Sequence, residues 1–459
     1  MTSPSSEYSV REQRGWYLYD WANSPYFTSV LAVFLGPYLT ALAKAAADPN
    51  GFIHPFGIPV DARSLYAYLI SISVAGQVIF LPVVGAIADY GHRKKELLAL
   101  TAFLGAGATV AMFFIQGTNY MLGAALLIIS NVSFGASIVV YNSFLPEIAP
   151  PEERDAVSSR GWALGYAGGG LLLALNLLLL FRADKLGISE AFAVRISLAS
   201  AGAWCVLFTI PVLIALRNRG PARVPPSGQN RIAVAFRQLA HTLQDTRRFP
   251  QTLLFLVAYL IYNDAIQTVL AVAAQFGSDG LKMPISQVTS AYLMAQFVGI
   301  FGTIAFGRLA ARIGTKFAII GSLAIWATIL IYIYGFVYSA TQFFFVTAGV
   351  AIVMGGSQAL SRSLFAQLIP KSKEAEYFSI YEISDKGTSW MGPLFYGLAL
   401  QWTGSYRIAI LSLIVFFVVG LAILTRVNVE KGERDVLLRA NESPAPNTAH
   451  SRDQRPSTG

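Results

Sequence analysis

Apolar residues along the chain gather into long runs, and the short intervals between them hold nearly all of the charge. Wound as a helix, a run of roughly 20 apolar residues crosses the about 30 Å hydrocarbon layer of a bilayer. Twelve such runs occur, near 17–43, 64–88, 97–116, 120–144, 157–181, 190–216, 251–276, 285–310, 316–338, 341–366, 377–401 and 404–427. They predict an all-α membrane protein with twelve transmembrane helices. Arg362, Glu382, Asp385 and Lys386 interrupt the tenth and eleventh runs, which are therefore the least regular.

Two segments of the first six runs recur in the second six. GAIADYGHRKK aligns with GRLAARIGTKF, Gly85 on Gly307, at an offset of 222; NSFLPEIAPPEE aligns with RSLFAQLIPKSKE, Pro150 on Pro370, at 220. Two six-helix parallel repeats place an axis along the membrane normal and a solute site between the halves near mid-bilayer. The expected division is a cytoplasmic N-terminal tail at 1–16, a first half at 17–216, a cytoplasmic linker at 217–250, a second half at 251–427 and a disordered cytoplasmic tail at 428–459. Within the linker, Ile232, Phe236, Leu239 and Leu243 recur at helical spacing, which predicts an amphipathic helix on the inner leaflet beside anionic lipid. A plain connector between halves fits the same residues. The stretch 45–63, dense in Pro and Gly, predicts an irregular loop on the outer side.

Composition agrees with the bilayer reading: of 459 residues, 54% are hydrophobic and 13% charged, against about 25% charged in soluble domains. The net charge of +9 is not arranged as a basic patch interleaved with aromatics, so nucleic acid is not an expected partner. Topology accounts for it. With both termini cytoplasmic, 26 of the 34 Lys and Arg residues face the cytoplasm, seven face outward, and Lys386 lies within a span. The excess of inner positive charge sets that orientation. The one cysteine, Cys205, sits in an apolar run, so neither a disulfide framework nor a metal site is expected.

At the repeated segments the chain resembles the major facilitator superfamily. The resemblance implies a conformational latch between the second and third spans, matched here by Gly85, Asp89, Arg93 and Lys94, with Lys95 beside them. A helix-end carboxylate of this kind holds the donors of a neighbouring helix in one conformation and releases them in another. The second half keeps Gly307, Arg312, Gly314 and Lys316, but Ala311 replaces the acid, which implies a weaker latch there. Within the superfamily the chain is similar to the vacuole effluxer-like branch, related to the autophagy-associated vacuolar amino-acid exporters of fungi. The residues that carry this are GWYLYDWANSPY (Gly15 to Tyr26), Phe144 to Gly170, YNDAIQTV (Tyr262 to Val269) and Ser361 to Leu394. The resemblance implies the major facilitator fold and export of an amino acid or related metabolite, and leaves the cargo open.

Ionisable groups inside a span are expensive, at roughly 2.5–3.5 kcal/mol mid-helix, so each points to a cavity or a partner. Asp20 and Asn23 share one side of the first span, three residues apart. Two readings are open for Asp20: a substrate or proton site, or a carboxylate that snorkels to the nearby interface. Pro25 predicts a kink that frees backbone carbonyls. Asn263 and Asp264 lie near the middle of the seventh span; they are expected to bind substrate or a proton, with a structural hydrogen bond as the competing reading. In the eleventh span, Glu382 and Lys386 are spaced to pair within the helix, leaving Asp385 on an adjacent strip. Asp385 and Lys386 are further candidates for substrate or proton binding, and Lys386 is also a candidate to pair with Asp20 across the halves as a gate. Asn142, Arg160, Arg362 and Glu382 are expected at an intracellular gate.

No phosphate-cradling loop, dinucleotide fingerprint or zinc-protease motif occurs, and none of the four histidines lies in a span. No cofactor is expected. The reading is therefore a gradient-driven secondary transporter of a small molecule, proton-coupled, working by alternating access as a lipid-embedded monomer in the inner membrane of a bacterial cell. A transport-inactive sensor or scaffold, and a membrane enzyme acting on lipid, are the competing classes.

Overall fold

The computed structural model describes residues 9–90, 92–150, 154–219, 247–369, 381 and 389–442. The expected linker helix and the charged residues Glu382, Asp385 and Lys386 lie outside these residues.

The first half contains α1 (Val10–Ala46), α2 (Leu65–Tyr90), α3 (Lys94–Phe114), α4 (Tyr120–Asn142), α5 (Arg154–Arg182) and α6 (Glu190–Ala215). The second contains α7 (Pro250–Gly280), α8 (Ile285–Ile313), α9 (Thr315–Phe336), α10 (Ala340–Gln367), α11 (Met391–Thr403) and α12 (Tyr406–Arg426). Among the described residues, eleven of these helices are long and apolar enough to cross a membrane. The remaining one, α11, is the later part of the eleventh expected run. Arg362 does not interrupt α10, which runs unbroken for 28 residues.

Helix packing carries the two-fold relation of the repeats. Inside the first half α1 packs on α5 and α6, and α4 on α2 and α3; inside the second, α10 packs on α8 and α9, and α12 on α7. Between halves the principal contacts are α1 with α7, α2 with α11, and α5 with α8, and α1 also touches α8. Adding six to one partner and subtracting six from the other converts the second of these pairs into the third, as a two-fold along the membrane normal requires. The structure thus has the twelve-helix arrangement that the repeats predict.

Proline chemistry shapes α1. Pro25 has no N–H, which strips the carbonyl one turn earlier, that of Trp21, of its helical donor. The indole Nε1 of Trp204 on α6 supplies the replacement at 3.0 Å. Beyond Pro25 the helix widens to i→i+5 bonding over Tyr26–Phe34 rather than breaking, and the Tyr66 hydroxyl donates to the Leu31 carbonyl there at 2.6 Å. The 37 residues of α1 rise about 55 Å, more than the hydrocarbon needs, so both ends project into polar surroundings.

Between α1 and α2 the expected irregular loop is a small hairpin, Phe52–Ile53 (β1) antiparallel to Val60–Asp61 (β2). The Asp48 carboxylate accepts the Asn50 and Phe52 N–H groups and pairs with His54. The Phe52 N–H, and then the His54 ring, hold that carboxyl below the ordinary range for Asp. The tail differs from expectation. Residues 428–459 were expected to be disordered, yet Val429–Glu442 form an amphipathic helix, α13, with Val436 buried and Gly432 seated against Leu368 and Gln251. Its apolar positions at helical spacing find a partner in the ends of α7 and α10, which sequence pattern alone does not supply.

Candidate functional site: a cavity between the halves

A cavity of about 970 Å³ lies between the halves, within the range that holds small-molecule ligands. α1, α2, α4 and α5 form one wall; α7, α8, α10 and α11 form the other. Most lining side chains are apolar, among them Phe27, Leu31, Leu171, Leu270 and Met354. Polar lining comes from carboxamides and hydroxyls. Gln77 and Asn131 face in from the first half, Gln267 and Gln296 from the second, with Tyr166, Thr347 and Ser389 beside them.

The first-half carboxamides are locked. Gln77 Nε2 donates to the Asn131 carbonyl at 2.9 Å, and Asn131 Nδ2 donates to Ser73 Oγ at 2.7 Å. Gly135 lies against this pair because a β-carbon there would stand 2.8 Å from the Gln77 side chain.

One end of the cavity is sealed. At the end of the bundle away from the termini, Lys44 on α1 pairs with Asp279 on α7 at 2.7 Å. Gln275, with no exposed surface, spends both amide hydrogens on the other half, donating to Thr40 Oγ1 at 2.8 Å and to the Arg63 carbonyl at 2.7 Å. Asp61 fixes the Arg63 guanidinium, which donates to the Gly404 carbonyl at 2.8 Å. Tyr68 donates to Gln401, and Ser71 to the Trp390 carbonyl. None of these sealing residues is legible in the sequence as a partner of another, because their pairs are 200 to 350 positions apart.

Asp20, Asn23, Asn263 and Asp264, the described intramembrane residues singled out from sequence, stand beside the cavity, not in its wall. Asp20 accepts the Tyr141 hydroxyl at 2.7 Å, while Trp16 stacks on the Tyr141 ring and donates to its carbonyl. Gly161 and Gly165 let α5 close over this joint; a β-carbon at Gly161 would lie 2.5 Å from the Asp20 carboxylate. Asn23 is buried in the same helix. Asp264 has no exposed surface and accepts the Gly392 N–H at 2.7 Å, in the first turn of α11. A carboxylate there satisfies an N–H that the helix cannot and meets the positive end of its dipole. Gly392 admits the contact, since a β-carbon would fall 2.2 Å from Thr268 Oγ1. Asn263 is buried beside Asp264.

At the end that carries the termini, Lys94 pairs with Glu147 at 2.5 Å and Arg219 with Glu12 at 2.9 Å. Lys94, expected to act across a neighbouring helix as a latch, thus reaches the loop after α4 in its own half. Gly85 faces Val139 on α4, and Arg93 is exposed. Asp89 lies in the last turn of α2, its side chain outside what is described. Gly307 and Arg312 are exposed on α8; the gate candidates Asn142 on α4, Arg160 on α5 and Arg362 on α10 are exposed as well. Arg362 on α10 lies close enough to Tyr166 on α5 to act on its hydroxyl electrostatically, across the halves.

Residues 8–437 match the family described as vacuole effluxer Atg22 like. The chain belongs to that family. Among its relatives are an uncharacterized MFS-type transporter, YxiO, of Bacillus subtilis strain 168, 32% identical over 95% of this chain and 99% of its own length, and an autophagy-related protein 22 of Pyricularia oryzae, 27% identical over 94% and 78%. Solved structures with this fold include a variant of the nucleoside transporter NupG (TM-score 0.64, 14% identity, 92% of this chain and 99% of that one) and the D-xylose-proton symporter (TM-score 0.64, 13% identity, 92% and 98%). A bacterial homologue of the lysosomal transporter Spinster, solved facing inward, has a TM-score of 0.60 at 14% identity, covering 94% of this chain and 97% of that one. The protein is a multi-pass membrane transporter of the major facilitator fold.

Proposed function

We propose that the chain moves a small solute through the cavity between its halves by alternating access, driven by a gradient, and that the structure is the state closed to the outside. The observation that carries this is the seal at the end away from the termini, where Lys44, Arg63, Tyr68, Ser71 and Gln275 hydrogen-bond from one half to the other. With both termini cytoplasmic, as the positive-inside distribution supports, the sealed end is external and the cavity serves the cytoplasmic side.

Asp20 is the carboxylate we assign to the coupling proton. It holds together α1, α4 and α5, and its hydrogen bond from the Tyr141 hydroxyl survives or reverses with protonation. Asp264, committed to capping α11, suits a structural role better. For the ammonium and carboxylate of the amino-acid cargo suggested by the fungal resemblance, the described wall supplies carboxamides and hydroxyls, Gln77, Asn131, Gln267, Gln296, Tyr166, Thr347 and Ser389.

Counterflow in proteoliposomes tests the transport reading, with accessibility of a cysteine at Thr347 read from each side. Charge reversal at Lys44→Asp should open the external seal and raise labelling from outside; the added exchange Asp279→Lys should restore the wild-type pattern. A protein that folds and binds solutes yet exchanges none would indicate a sensor or scaffold instead.

A further inference from the structure

Asp20, Ser24 and Thr28 recur at four-residue intervals and stand in a row along one face of α1. Gly161, Gly165 and Gly169 of α5 recur at the same interval and meet the row rung by rung. A β-carbon on each would come within 2.5 Å of Asp20 Oδ2, 2.6 Å of Ser24 Oγ and 3.0 Å of Thr28 Oγ1 in turn. The glycines are buried, yet all three polar residues keep part of their surface exposed. Close packing of the two helices requires the glycines but not the hydroxyls, since alanine at 24 or 28 would fit the same space.

The row has one end in the cavity. Thr28 lines it beside Phe27 and Leu31, and Ser24 and Asp20 follow toward the termini. Eight residues of helix put Asp20 about 12 Å from Thr28. With both termini cytoplasmic, a proton that enters from outside reaches the cavity first and Asp20 only beyond it. Each step of the row rises about 6 Å, the span of one water making two hydrogen bonds of about 2.8 Å.

Hydroxyls suit such a transfer because each both accepts and donates. Ser24 Oγ makes no hydrogen bond with another described residue, and Thr28 Oγ1 donates to the Ser24 carbonyl at 3.1 Å, which leaves its lone pairs open. One hydroxyl accepts the arriving proton while its own passes to the next oxygen; each hydroxyl ends as it began, and the carboxylate gains one proton. On Asp20, Tyr141 and Gly161 both meet Oδ2, so Oδ1 is left for that proton. Its ionisable neighbours include the phenols Tyr141 on α4 and Tyr19 on α1, with Arg160 exposed next to Gly161 on α5. Phenols hold their protons where carboxylates release them, so the row ends at Asp20.

We propose that Thr28 and Ser24, with water between them, relay the coupling proton from the cavity to Asp20. The relay rests on the assignment of Asp20 made above.

Accumulation driven by a pH gradient and counterflow are measured side by side, in proteoliposomes of the full-length protein, with a labelled mixture of the common amino acids as probe. Ser24→Ala should slow the pH-driven accumulation by about tenfold or more, with counterflow within about twofold of wild type and the melting temperature unchanged. Ser24→Thr, which keeps the hydroxyl, should retain the wild-type response. Thr28→Val should repeat the loss of pH-driven accumulation, and Thr28→Ser should restore it. If Asp20→Asn abolishes the response to the gradient while Ser24→Ala and Thr28→Val leave it intact, the relay is overturned and the assignment of Asp20 stands. An intact response in Asp20→Asn would remove the assignment, and the relay with it. Equal loss of counterflow and pH-driven accumulation in Ser24→Ala would make the row a packing seam and reject the relay. Wild-type protein whose handling of the mixture shows no response to the gradient would refute proton coupling and relay together.

Discussion

Lys94 and Lys316 occupy the same place in the two repeats, 222 positions apart, and do different work. Lys94, 4% exposed, is a buried cation whose partner is Glu147; Arg219 approaches the same carboxylate at 3.8 Å and binds Glu12, itself 2% exposed. Lys316 donates to the Thr425 and Val427 carbonyls at the end of α12, at 3.0 and 2.7 Å. The repeat at 220 puts Gln367 where Glu147 stands, so the second-half lysine has no acid to meet and caps a helix end instead. One half is therefore fastened at its base by buried charge, the other by backbone acceptors. A duplicated fold keeps its helices while the bonds that fix them diverge.

The sharpest way to break this comparison is to remove both lysines in turn. Lys94→Met leaves the partly buried Glu147 with only a distant cation and should cost about 2–4 kcal/mol. Unfolding of purified protein in detergent would show it as a large fall in melting temperature, and a change no greater than that of Lys316→Met would dissolve the asymmetry. The two intramembrane carboxylates sharpen the same contrast. Asp264→Ala orphans the buried Gly392 N–H and should destabilise by about 1–3 kcal/mol, read in the same melts. Asp20→Asn keeps an oxygen to accept from Tyr141, so it should shift stability by less than about 1 kcal/mol. Its signature is functional: uptake driven by a pH gradient is lost, whereas counterflow persists. Loss of counterflow as well would show that Asp20 serves the cavity directly. Lys316→Met, which removes a cation from a partly exposed helix terminus, should have the smallest effect on stability, about 0.3–1 kcal/mol; a larger loss would mean that the capping contact is more deeply desolvated than its geometry suggests.

The sequence legibly carried the fold because span length and charge bias are local properties. Twenty apolar residues in a row admit few structures in lipid, where every backbone group must be satisfied within its own segment. Through Asp20, Asn23, Pro25, Asn263 and Asp264 it also singled out α1 and α7, two of the helices that line the cavity. It did not distinguish a polar residue that faces a cavity from one that fastens two helices. Asp264 reads as a mid-membrane functional carboxylate; its place beneath the first turn of α11 depends on Gly392, 128 positions away. Conversely, Gln77, Asn131, Gln267 and Gln296 are unremarkable in an apolar run, because an amide costs little enough to sit anywhere in a bundle.

By itself, then, the sequence determined the number of spans, their division into related halves and the side of the membrane that the positive charge favours. Each follows from free energies of single segments in water or lipid. Only the tertiary structure decided which polar side chains meet in the cavity, which residues close it, and how Lys94 and Lys316 part ways. These rest on contacts between helices hundreds of residues apart, where a shift of one residue about a helix axis turns a side chain by 100° and exchanges a partner for a void.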